Sequence, residues 1–560
     1  MIMSRTKFKL FFMSMSLFAA LTACENDDKP APVTEVLAVK SMAPASGLAG
    51  TKVVITGTKF DPTPANNVVL FNTTPAMVTA ATATTIETTV PVGATTGLIT
   101  VTTGGTTVKS ATPFTVSDRA TIDVSGEIKT NTNWTANNVY VLKGFVYVTA
   151  GNTLTIEKGT IIKGAGKEAD PKAQGQGGSL IIEAGAKIVA IGTAEQPIVF
   201  TSSKEPGQRN YGDWGGVVLI GKAPHNQAGS KGPEGGIRGG TTNAGLGTDN
   251  IADDNSGTLQ YVRIEFAGIA LSNTANSEIN GLTLYAVGSG TTIDHVQVSY
   301  SGDDSYEWFG GTVNSKYLVA YRGYDDDWDT DWGFTGKVQY ALSLRDPEFA
   351  DQSASNGFES DNFNSGEPAT GPNAGLPLTA PVFANVSNLV TSGAPSNATI
   401  KGSGGYQAAM HLRRNTSISI LNSLFVGYPE GLRLDGTATG TYTNATKGTL
   451  DLRGIVLANN TLPVTGKGEI TEAQATAYFN TAARKNEVKD LASLLLNTAN
   501  FTLTAPGLLP QATSPLLTGA VWDGKGADAY FTKETFRGAF GTTDWTKGWT
   551  NWDPQNTIYK

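Results

Sequence analysis

The chain has 560 residues, of which 65 are glycine and only 16% are charged. Its length exceeds what a single hydrophobic core accommodates, which predicts at least two domains or a solenoid. The net charge of -8 and the lack of Lys/Arg runs with interleaved aromatics argue against nucleic acid as a partner.

The first segment in chain order has the pattern of an export signal. Arg5, Lys7 and Lys9 precede the apolar run LFFMSMSLFAAL, which is too short for a stable membrane span, so residues 1–23 are predicted to be a signal peptide. The run ends in LTAC, which resembles the lipobox of bacterial lipoproteins. This resemblance implies that Cys24 becomes the lipidated first residue and attaches the protein to a membrane. Cys24 is the only cysteine, so no intramolecular disulfide can form.

Residues 24–32 are acidic and then proline-rich, which indicates a solvated tether. The segment ENDDKPAP resembles the acidic export signals that follow the lipidated cysteine in surface lipoproteins of the Bacteroidetes. The resemblance implies an outer-membrane lipoprotein exposed at the cell surface.

Residues 33–117 contain short alternating runs such as VVITG and VVLFN, separated by Gly, Pro and Asn turns, as in a small β-sandwich. On MAPASGLAGTKVVITGTKF, VVLFN and TTVPVGATTGLITVTTGG, the segment resembles an IPT/TIG domain, which has an immunoglobulin-like fold. The resemblance implies a spacer or contact module.

Residues 118–560 contain internal repeats. LTIEKGTII and LIIEAGAKI begin at residues 154 and 180, and VRIEFAG, VQVSYSG and YLVAYRG begin at 262, 296 and 317, so that the last two copies lie about 21 residues apart. A recurring strand with glycine at the turn predicts a parallel β-helix, in which each coil buries its inward residues on the next.

Other stretches of the same segment carry a family resemblance. WTANNVYVLKGFVYVTAGNTLTIEKGTIIKG resembles the opening coils of right-handed β-helix proteins of the pectate-lyase-like type. GDWGGVVLIGKAP, GDDSYEWFGG and FRGAFGTTDWTKGWTNWDP resemble a group of Bacteroidetes surface lipoproteins. The expected fold class is all-β: an immunoglobulin-like sandwich followed by a right-handed parallel β-helix, with one or two helices inserted at residues 469–497.

The stretch GYDDDWDTDWGF, residues 323–334, holds five aspartates and two tryptophans. A repeat of the length just described would stack Asp304, Asp325 and Asp346 in one column. Such charge suggests a counterion, and calcium takes six to eight oxygen ligands. No organic cofactor is predicted. The candidate calcium ligands are Asp303, Asp304, Asp325, Asp327, Asp329 and Asp346.

Catalysis on a polysaccharide is an alternative, because glycosidases use two carboxyl groups beside the scissile bond. GDD at 302–304 resembles polygalacturonases, although the order of motifs differs and their G-H-G and R-I-K elements are missing. A lyase would use calcium and an arginine or lysine base, for which Arg322, Arg345 and Arg413 are equal candidates. The candidate catalytic acids are Asp304, Asp325, Asp331 and Glu359.

Binding without chemistry is the third use considered for this stretch. Aromatic faces stack on sugar rings, although the same side chains could instead fill the coil interior. The candidate ligand-binding aromatics are Trp308, Tyr324, Trp328 and Trp332.

Three functions follow. The first is a surface lipoprotein whose β-helix binds an extracellular polymer, a polysaccharide, at this acidic and aromatic face. The second is a polysaccharide lyase or glycoside hydrolase using the same face, so the sequence leaves open whether the protein is an enzyme. The third is an adhesin or envelope protein with structural calcium.

Overall fold

The computed structural model describes residues 35–227, 233–238, 250–271, 277–363, 375–390 and 401–560. It is all-β and divides into two compact units between Ser117 and Asp118. This confirms the predicted fold class. The predicted signal peptide, the lipidation site Cys24 and the tether lie outside the described residues.

The N-terminal unit is a sandwich of two sheets paired mainly in antiparallel fashion. Alternating side chains such as Val53, Ile55, Val69 and Phe71 point inward and are fully buried. One sheet contains Ala38–Ala43, Lys52–Thr58, Thr85–Thr89 and Val78–Ala81. The other contains Ser46–Gly47, Thr106–Val116, Gly97–Thr103, Asn67–Phe71 and Thr74–Ala76.

The C-terminal unit is a right-handed parallel β-helix built from one 26-stranded sheet. Each coil contributes strand segments to three faces, which the chain visits in the order face three, face one, face two. Thr292–Ser299 shows this path: Thr292–Asp294 lie on face three and Val296–Ser299 on face one, and Tyr306–Phe309 follows on face two. Every backbone ladder therefore joins one coil to the next.

The strands are given by face. Face two contains Ser179–Ile182, Val217–Ile220, Leu282–Tyr285, Tyr306–Phe309, Trp328–Asp331, Phe358–Ser360, Ala408–Leu412, Glu430–Gly436 and Leu462–Gly468. Face one contains Ile161–Gly164, Ile198–Ser202, Leu424–Val426, Val456–Ala458 and Glu487–Lys489. Face three contains Thr132–Trp134, Thr153–Ile156, Lys187–Ile191, Ser419–Leu421 and Asp451–Arg453. Strands that run from face three into face one are Gly257–Glu265, Thr292–Ser299, Asn314–Tyr321, Lys337–Leu344 and Val382–Leu389. Ala120–Ile128 and Asn138–Val148 run from face one into face two.

The coil repeat in the acidic region is longer than the spacing of the sequence motifs. Aligning the motif starts matches Val296 with Tyr317, whereas the structure pairs Val296 with Leu318 and then Leu318 with Ala341. The aromatic-x-Gly ends of the two repeats are therefore out of register by one residue. The predicted column of Asp304, Asp325 and Asp346 is wrong for this reason.

Two α-helices lie within the described residues, Thr441–Lys447 and Glu472–Phe479. The second begins with a capping box at Thr471, and its Ala475, Tyr478 and Phe479 join the main core. Only this part of the predicted helical insert at 469–497 is α-helical; the rest contains 3-10 turns and the strand Glu487–Lys489. No helix among the described residues is long and apolar enough to cross a membrane. The 3-10 helices are Pro64–Asn66, Lys167–Ala169, Glu234–Gly236, Ala482–Arg484, Leu491–Leu494, Pro515–Leu517 and Gly524–Ala527.

The C-terminal segment, residues 498–560, runs back along face one and part of face three as a strap without strands. Asn422 donates to the carbonyl of Val521 at 2.9 Å, and Tyr321 donates to that of Trp552 at 2.9 Å. Near its end, Tyr559 packs on face-one residues of the first coils. The strap covers apolar side chains that face one would otherwise expose to water.

We predict that Trp549→Ala lowers the free energy of unfolding by about 3–5 kcal/mol, since a large strap side chain that is 2% exposed would leave a cavity over face one. Urea denaturation followed by circular dichroism measures this. Ile558→Ala, at a strap residue that is 43% exposed, is the matched control and should change stability little. An equal effect of both substitutions would contradict the assigned role of the strap.

Candidate functional site

A cleft of 830 Å³ lies over the middle coils of face two. Among the described residues, eleven carboxyl groups line it, against two guanidinium groups, those of Arg413 and Arg414. We call it the acidic cleft. Its acids are Glu234, Glu278, Asp303, Asp304, Glu307, Asp325, Asp329, Asp331, Asp351, Glu359 and Asp361.

The centre of the acidic cleft is a column of carboxylates on successive coils. Glu307 pairs in register with Asp329, and Asp329 with Glu359. Their neighbours Tyr306 and Trp328 are buried in the coil interior, so the alternation of a strand turns the acids outward. Neighbouring strands are about 4.8 Å apart, and the column therefore stacks like charges at that spacing.

The turns that lead into these strands carry a second ladder. The backbone N–H of Asp326 donates to Asp304 Oδ1 at 2.9 Å, the N–H of Asn356 donates to Asp326, and the N–H of Ala408 donates to Asn356 Oδ1 at 3.1 Å. Each side chain satisfies the backbone of the next coil. This ladder fixes the position of Asp304 at the edge of the cleft.

Two groups of three carboxylates are close enough to share a cation. The oxygens of Asp303, Asp304 and Asp325 lie within 4.8 Å of one another, as do those of Asp304, Glu307 and Asp329. Asp304 belongs to both groups. The structure thus brings together four of the six predicted calcium ligands, and it adds Glu307.

Burial keeps several of these acids from ionising easily. Desolvation, and then the neighbouring carboxylates, raise the pKa of Asp303, Asp304, Glu307 and Asp329 well above the usual range. Desolvation also raises the pKa of Asp325 to about 7, although the Ser353 hydroxyl that donates to it acts in the opposite direction. At neutral pH the cleft therefore needs either bound protons or a bound cation.

The basic end of the cleft behaves differently. Burial raises the pKa of Glu359, but the guanidinium of Arg413 and the imidazole of His411 outweigh it, and the net shift is downward. Asp361 accepts from Arg413 at 2.7 Å and from Arg414 at 2.6 Å. Glu359 and Asp329 are neighbours in register, yet their pKa values move in opposite directions.

The proposed catalytic acids Asp304, Asp325, Asp331 and Glu359 all line the acidic cleft. Asp331 accepts from the backbone N–H of Trp332 at 2.6 Å, and burial raises its pKa well above the usual range.

Of the four aromatic residues predicted to bind a ligand, two line the acidic cleft and two lie in the core. Trp308 and Trp328 point into the coil interior and are fully buried, so the expectation that they stack on a sugar is wrong. Both belong to the main core, which is the other use the sequence allowed them. Tyr324 is half-buried and lines the cleft. Trp332 borders the cleft but is only 1% exposed, because it packs on Tyr285 and Phe309.

Two predicted calcium ligands lie elsewhere. Asp327 is fully buried, lies 3.2 Å from Arg345 and accepts a hydrogen bond from the Ser343 hydroxyl at 2.6 Å. Its carboxylate is therefore paired inside the turn and does not face the cleft. Asp346 pairs with Arg322. The alternation of outward and inward side chains expected for residues 327–331 begins only at Trp328, where the strand starts, so it does not include Asp327. The one-residue shift of the coil repeat moves Asp346 out of the predicted column.

Sequence reasoning missed several acids of the cleft. Glu307 lies between Tyr306 and Trp308, and the alternation of that strand was a signal that could have placed it outward. Glu234, Glu278 and Asp351 come from segments between strands, for which periodicity gives no position.

The donor set fits calcium. Calcium favours six to eight oxygen ligands, carboxylates above all, and tolerates irregular geometry. Asp304 is 7% exposed and Glu307 6% exposed, and the buried Oδ1 of Asp329 has no hydrogen-bond donor among the described residues. A buried carboxylate oxygen without a donor is costly unless a cation or a proton satisfies it.

Comparison with known proteins agrees with this architecture. Residues 126–502 match the model of the pectate-lyase like beta helix domain family. The chain belongs to this family. In this β-helix protein, residues 37–116 also match the IPT/TIG domain. No curated protein matches the chain.

Some solved structures share short segments with this pectate-lyase like protein. An auxiliary nutrient binding protein from Bacteroides thetaiotaomicron is 17% identical over 16% of this chain and 24% of that chain, with a TM-score of 0.15. One from Bacteroides ovatus is 21% identical over 15% and 22%, with a TM-score of 0.14. A putative phosphatase from Bacteroides thetaiotaomicron is 27% identical over 14% and 18%, with a TM-score of 0.14. The chain spans a quarter or less of each of these proteins.

We predict that the calcium-free protein becomes less stable as pH rises from about 4 to about 7, the window set by the pKa of Asp325 in the unfolded and folded states. A carboxyl whose folded pKa is raised stabilises the fold while it is protonated, and this stability is lost as pH climbs through the folded value. Melting temperature in chelator between pH 4 and 8 measures it. Asp325→Asn should flatten the curve, and a melting temperature that rises over this window would contradict the prediction.

Proposed function

We propose that the protein binds an extracellular polysaccharide in the acidic cleft, through calcium held by Asp303, Asp304, Glu307, Asp325 and Asp329. The observation that carries the proposal is the excess of eleven carboxyl groups over two guanidinium groups in one open cleft. Membership of a pectate-lyase like family suggests a polysaccharide-related function. Calcium would offer its remaining coordination positions to hydroxyl or carboxylate oxygens of a glycan.

A direct acid–sugar contact without a cation is the weaker arrangement. Two carboxylates about 4 Å apart repel by roughly 1 kcal/mol in water and by more where solvent is excluded. The column of Glu307, Asp329 and Glu359 places such pairs on successive coils. Within the described ranges, Glu359 is the one acid of this column with a guanidinium partner, Arg413, so a divalent cation at the other two acids would relieve most of the repulsion.

We predict that calcium raises the melting temperature of the soluble chain 25–560, which retains every described residue. A ligand at one hundred times its Kd stabilises the folded state by about 2.7 kcal/mol. Asp304→Asn and Asp329→Asn should abolish the shift. Asp327→Asn is the matched control: it removes a charge of the same sequence stretch and destabilises the buried pair with Arg345, yet it should keep the calcium shift.

A glycan-binding screen in calcium and in chelator then tests the ligand. Binding that requires calcium and is lost in Asp304→Asn supports the proposal. A calcium shift without binding to any glycan would make the ion structural, as in an adhesin or envelope protein. No calcium shift in the unmodified protein would refute the calcium site.

Catalysis at the same cleft is a second candidate, and one observation favours it. Asp329 and Glu359 are neighbouring acids whose pKa values move apart, one upward and one downward, as in an acid and nucleophile pair. Carboxyl groups about 5 Å apart suit a retaining mechanism. Asp329 would protonate the leaving oxygen as the glycosidic bond breaks, and Glu359 would bond to the anomeric carbon. Water, deprotonated by Asp329, would then hydrolyse this glycosyl ester and restore both carboxyl groups.

We predict that, if the cleft hydrolyses a glycan, Asp329→Asn and Glu359→Gln each lower turnover by about 100-fold or more, in the range typical of general acid–base catalysis. The assay is release of new reducing ends from any glycan that the screen identifies. Asp523→Asn, at an exposed strap acid paired with Arg453 outside the acidic cleft, is the control and should leave turnover unchanged. If the unmodified protein binds the glycan without turning it over, catalysis is refuted and only the binding function remains.

We further propose that the protein is a surface lipoprotein anchored by Cys24, because LTAC closes the predicted signal peptide and an acidic tether follows. Metabolic labelling with a radioactive fatty acid should mark the full chain and fail to mark Cys24→Ser. Protease added to intact cells should degrade the protein if it faces outward. Labelling of the Cys24→Ser variant would contradict the anchor.

A further inference from the structure

A second pocket, of 650 Å³, adjoins the acidic cleft. It lies over the turns that lead from face one to face two, and it shares Ala270, Gly302 and Tyr324 with the cleft. Its side chains differ in kind, since three lysines and three aromatic rings line it. We call it the lysine–tyrosine pocket. The six residues are Lys167, Lys204, Lys401, Tyr211, Tyr324 and Phe349.

The aromatic rings form one surface. The ring of Tyr211 lies 5.3 Å from that of Tyr324 and 5.4 Å from that of Phe349, measured between centroids. All three side chains are half-buried, so they keep accessible ring area within a pocket. Partly exposed aromatic faces beside polar groups are what sugar sites use to stack a ring. Tyr211, Tyr324 and Phe349 thus offer the kind of aromatic surface that the sequence predicted at Trp308 and Trp328.

Backbone forms another part of the pocket. Gly212, Gly268 and Gly302 come from three successive coils. A Cβ added to Gly268 would overlap the N atom of Gly302, and one added to Gly302 would lie 2.7 Å from that of Gly212. These glycines therefore let the three turns approach one another closely, and their backbone forms this wall of the pocket.

The charge of the pocket is opposite in tendency to that of the cleft. Its three lysines meet two lining acids, Glu168 and Asp213. Lys204 donates to Asp213 at 2.6 Å and Lys401 pairs with Glu348, yet their side chains remain 50% and 61% exposed. An ammonium group has three donors, so both lysines keep donors for a further acceptor.

We propose that the lysine–tyrosine pocket is a subsite for a sugar residue that carries an anionic substituent, either a carboxylate or a sulfate. The inference rests on the proposed function: one sugar residue of the glycan occupies this pocket while the next passes Tyr324, which lines both pockets, and binds the calcium of the acidic cleft. The sugar ring stacks on Tyr324 and Phe349. Its anionic group accepts hydrogen bonds from Lys167, Lys204 and Lys401. Electrostatic complementarity of this kind supplies selectivity between ligands.

The charges explain why one glycan would need both pockets. Without calcium, the acids of the cleft repel an anionic chain, and the lysines alone are partly neutralised by their own partners. With calcium, anionic groups of adjacent sugar residues find a cation on each side of Tyr324. A neutral glycan would leave the lysine donors to water and gain only the stacking.

The test is isothermal titration calorimetry in calcium with three probes: trigalacturonate, its neutral methyl ester and a sulfated galactotriose. We expect the anionic probes to bind at least about tenfold more tightly than the ester, a difference of about 1.4 kcal/mol. The arm that binds best distinguishes a carboxylate from a sulfate. Equal affinity for the ester, or no binding of any probe, would overturn the subsite.

Variants locate the effect. Lys167→Gln with Lys401→Gln should reduce the preference for anionic probes, leaving the part that calcium and Lys204 contribute. Tyr324→Ala should weaken binding of all three probes, whereas Tyr324→Phe keeps the ring and its stacking. Lys489→Gln is the matched control, because Lys489 is likewise exposed and paired with a glutamate but lies on face one in the last coil. Its affinities should equal those of the unmodified protein.

Failure of this inference can be told from failure of the calcium site. A calcium-dependent rise in melting temperature measured on each variant shows that the fold and the ion site are intact. An anion preference that is undiminished in the lysine variants, with the calcium shift preserved, overturns the subsite alone. Lysine-dependent binding of anionic probes without a calcium shift supports the subsite and refutes the ion site.

Discussion

The parallel stacking of coils in register is the constraint on which the rest of the β-helix depends. Each strand satisfies its backbone groups on the strands before and after it, and side chains at equivalent positions therefore lie about 4.8 Å apart along the helix. Inside, this stacks apolar and aromatic side chains such as Tyr306 and Trp328, whose ring centroids are 5.1 Å apart. Outside, it stacks whatever the sequence supplies, whether or not the neighbours attract.

The acidic cleft is the consequence of that constraint where the outward residues are acids. Glu307 and Asp329 cannot separate without breaking the ladder beneath them. Protons, guanidinium groups or a divalent cation must therefore reduce the repulsion. In the part of the chain that the structure describes, guanidinium groups line the cleft only at one end, near Glu359. The same low solvent exposure that raises the pKa of these acids would strengthen their hold on a cation. The stacked, poorly solvated carboxylates thus destabilise the protein in the absence of a cation and favour the binding of one.

The three faces of the β-helix have different environments because the C-terminal strap covers face one and also packs on part of face three. Tyr321, Leu344 and Val426 on face one pack into a cluster with strap residues such as Trp549. Face two carries the polar cleft instead, and the turns between these two faces carry the lysine–tyrosine pocket. A ligand that crosses from the turns onto face two would meet aromatic rings, ammonium groups and carboxylates in one path.

The sequence by itself determined the all-β class and the β-helix, because period-two strands with recurrent glycine turns leave few other ways to bury their apolar side. It also placed Asp303, Asp304, Asp325 and Asp329 in one candidate site. It could not fix the register: the motif starts align Val296 with Tyr317, whereas the strands pair Val296 with Leu318, and the difference moves Asp346 to Arg322. Only the tertiary structure decided that Trp308 and Trp328 belong to the core and that Asp327 forms an ion pair with Arg345. It also decided which acids outside the strands line the cleft, namely Glu234, Glu278 and Asp351. The physical reason is that local periodicity sets which way a side chain points within a strand, whereas the turns and insertions between strands determine which charges meet.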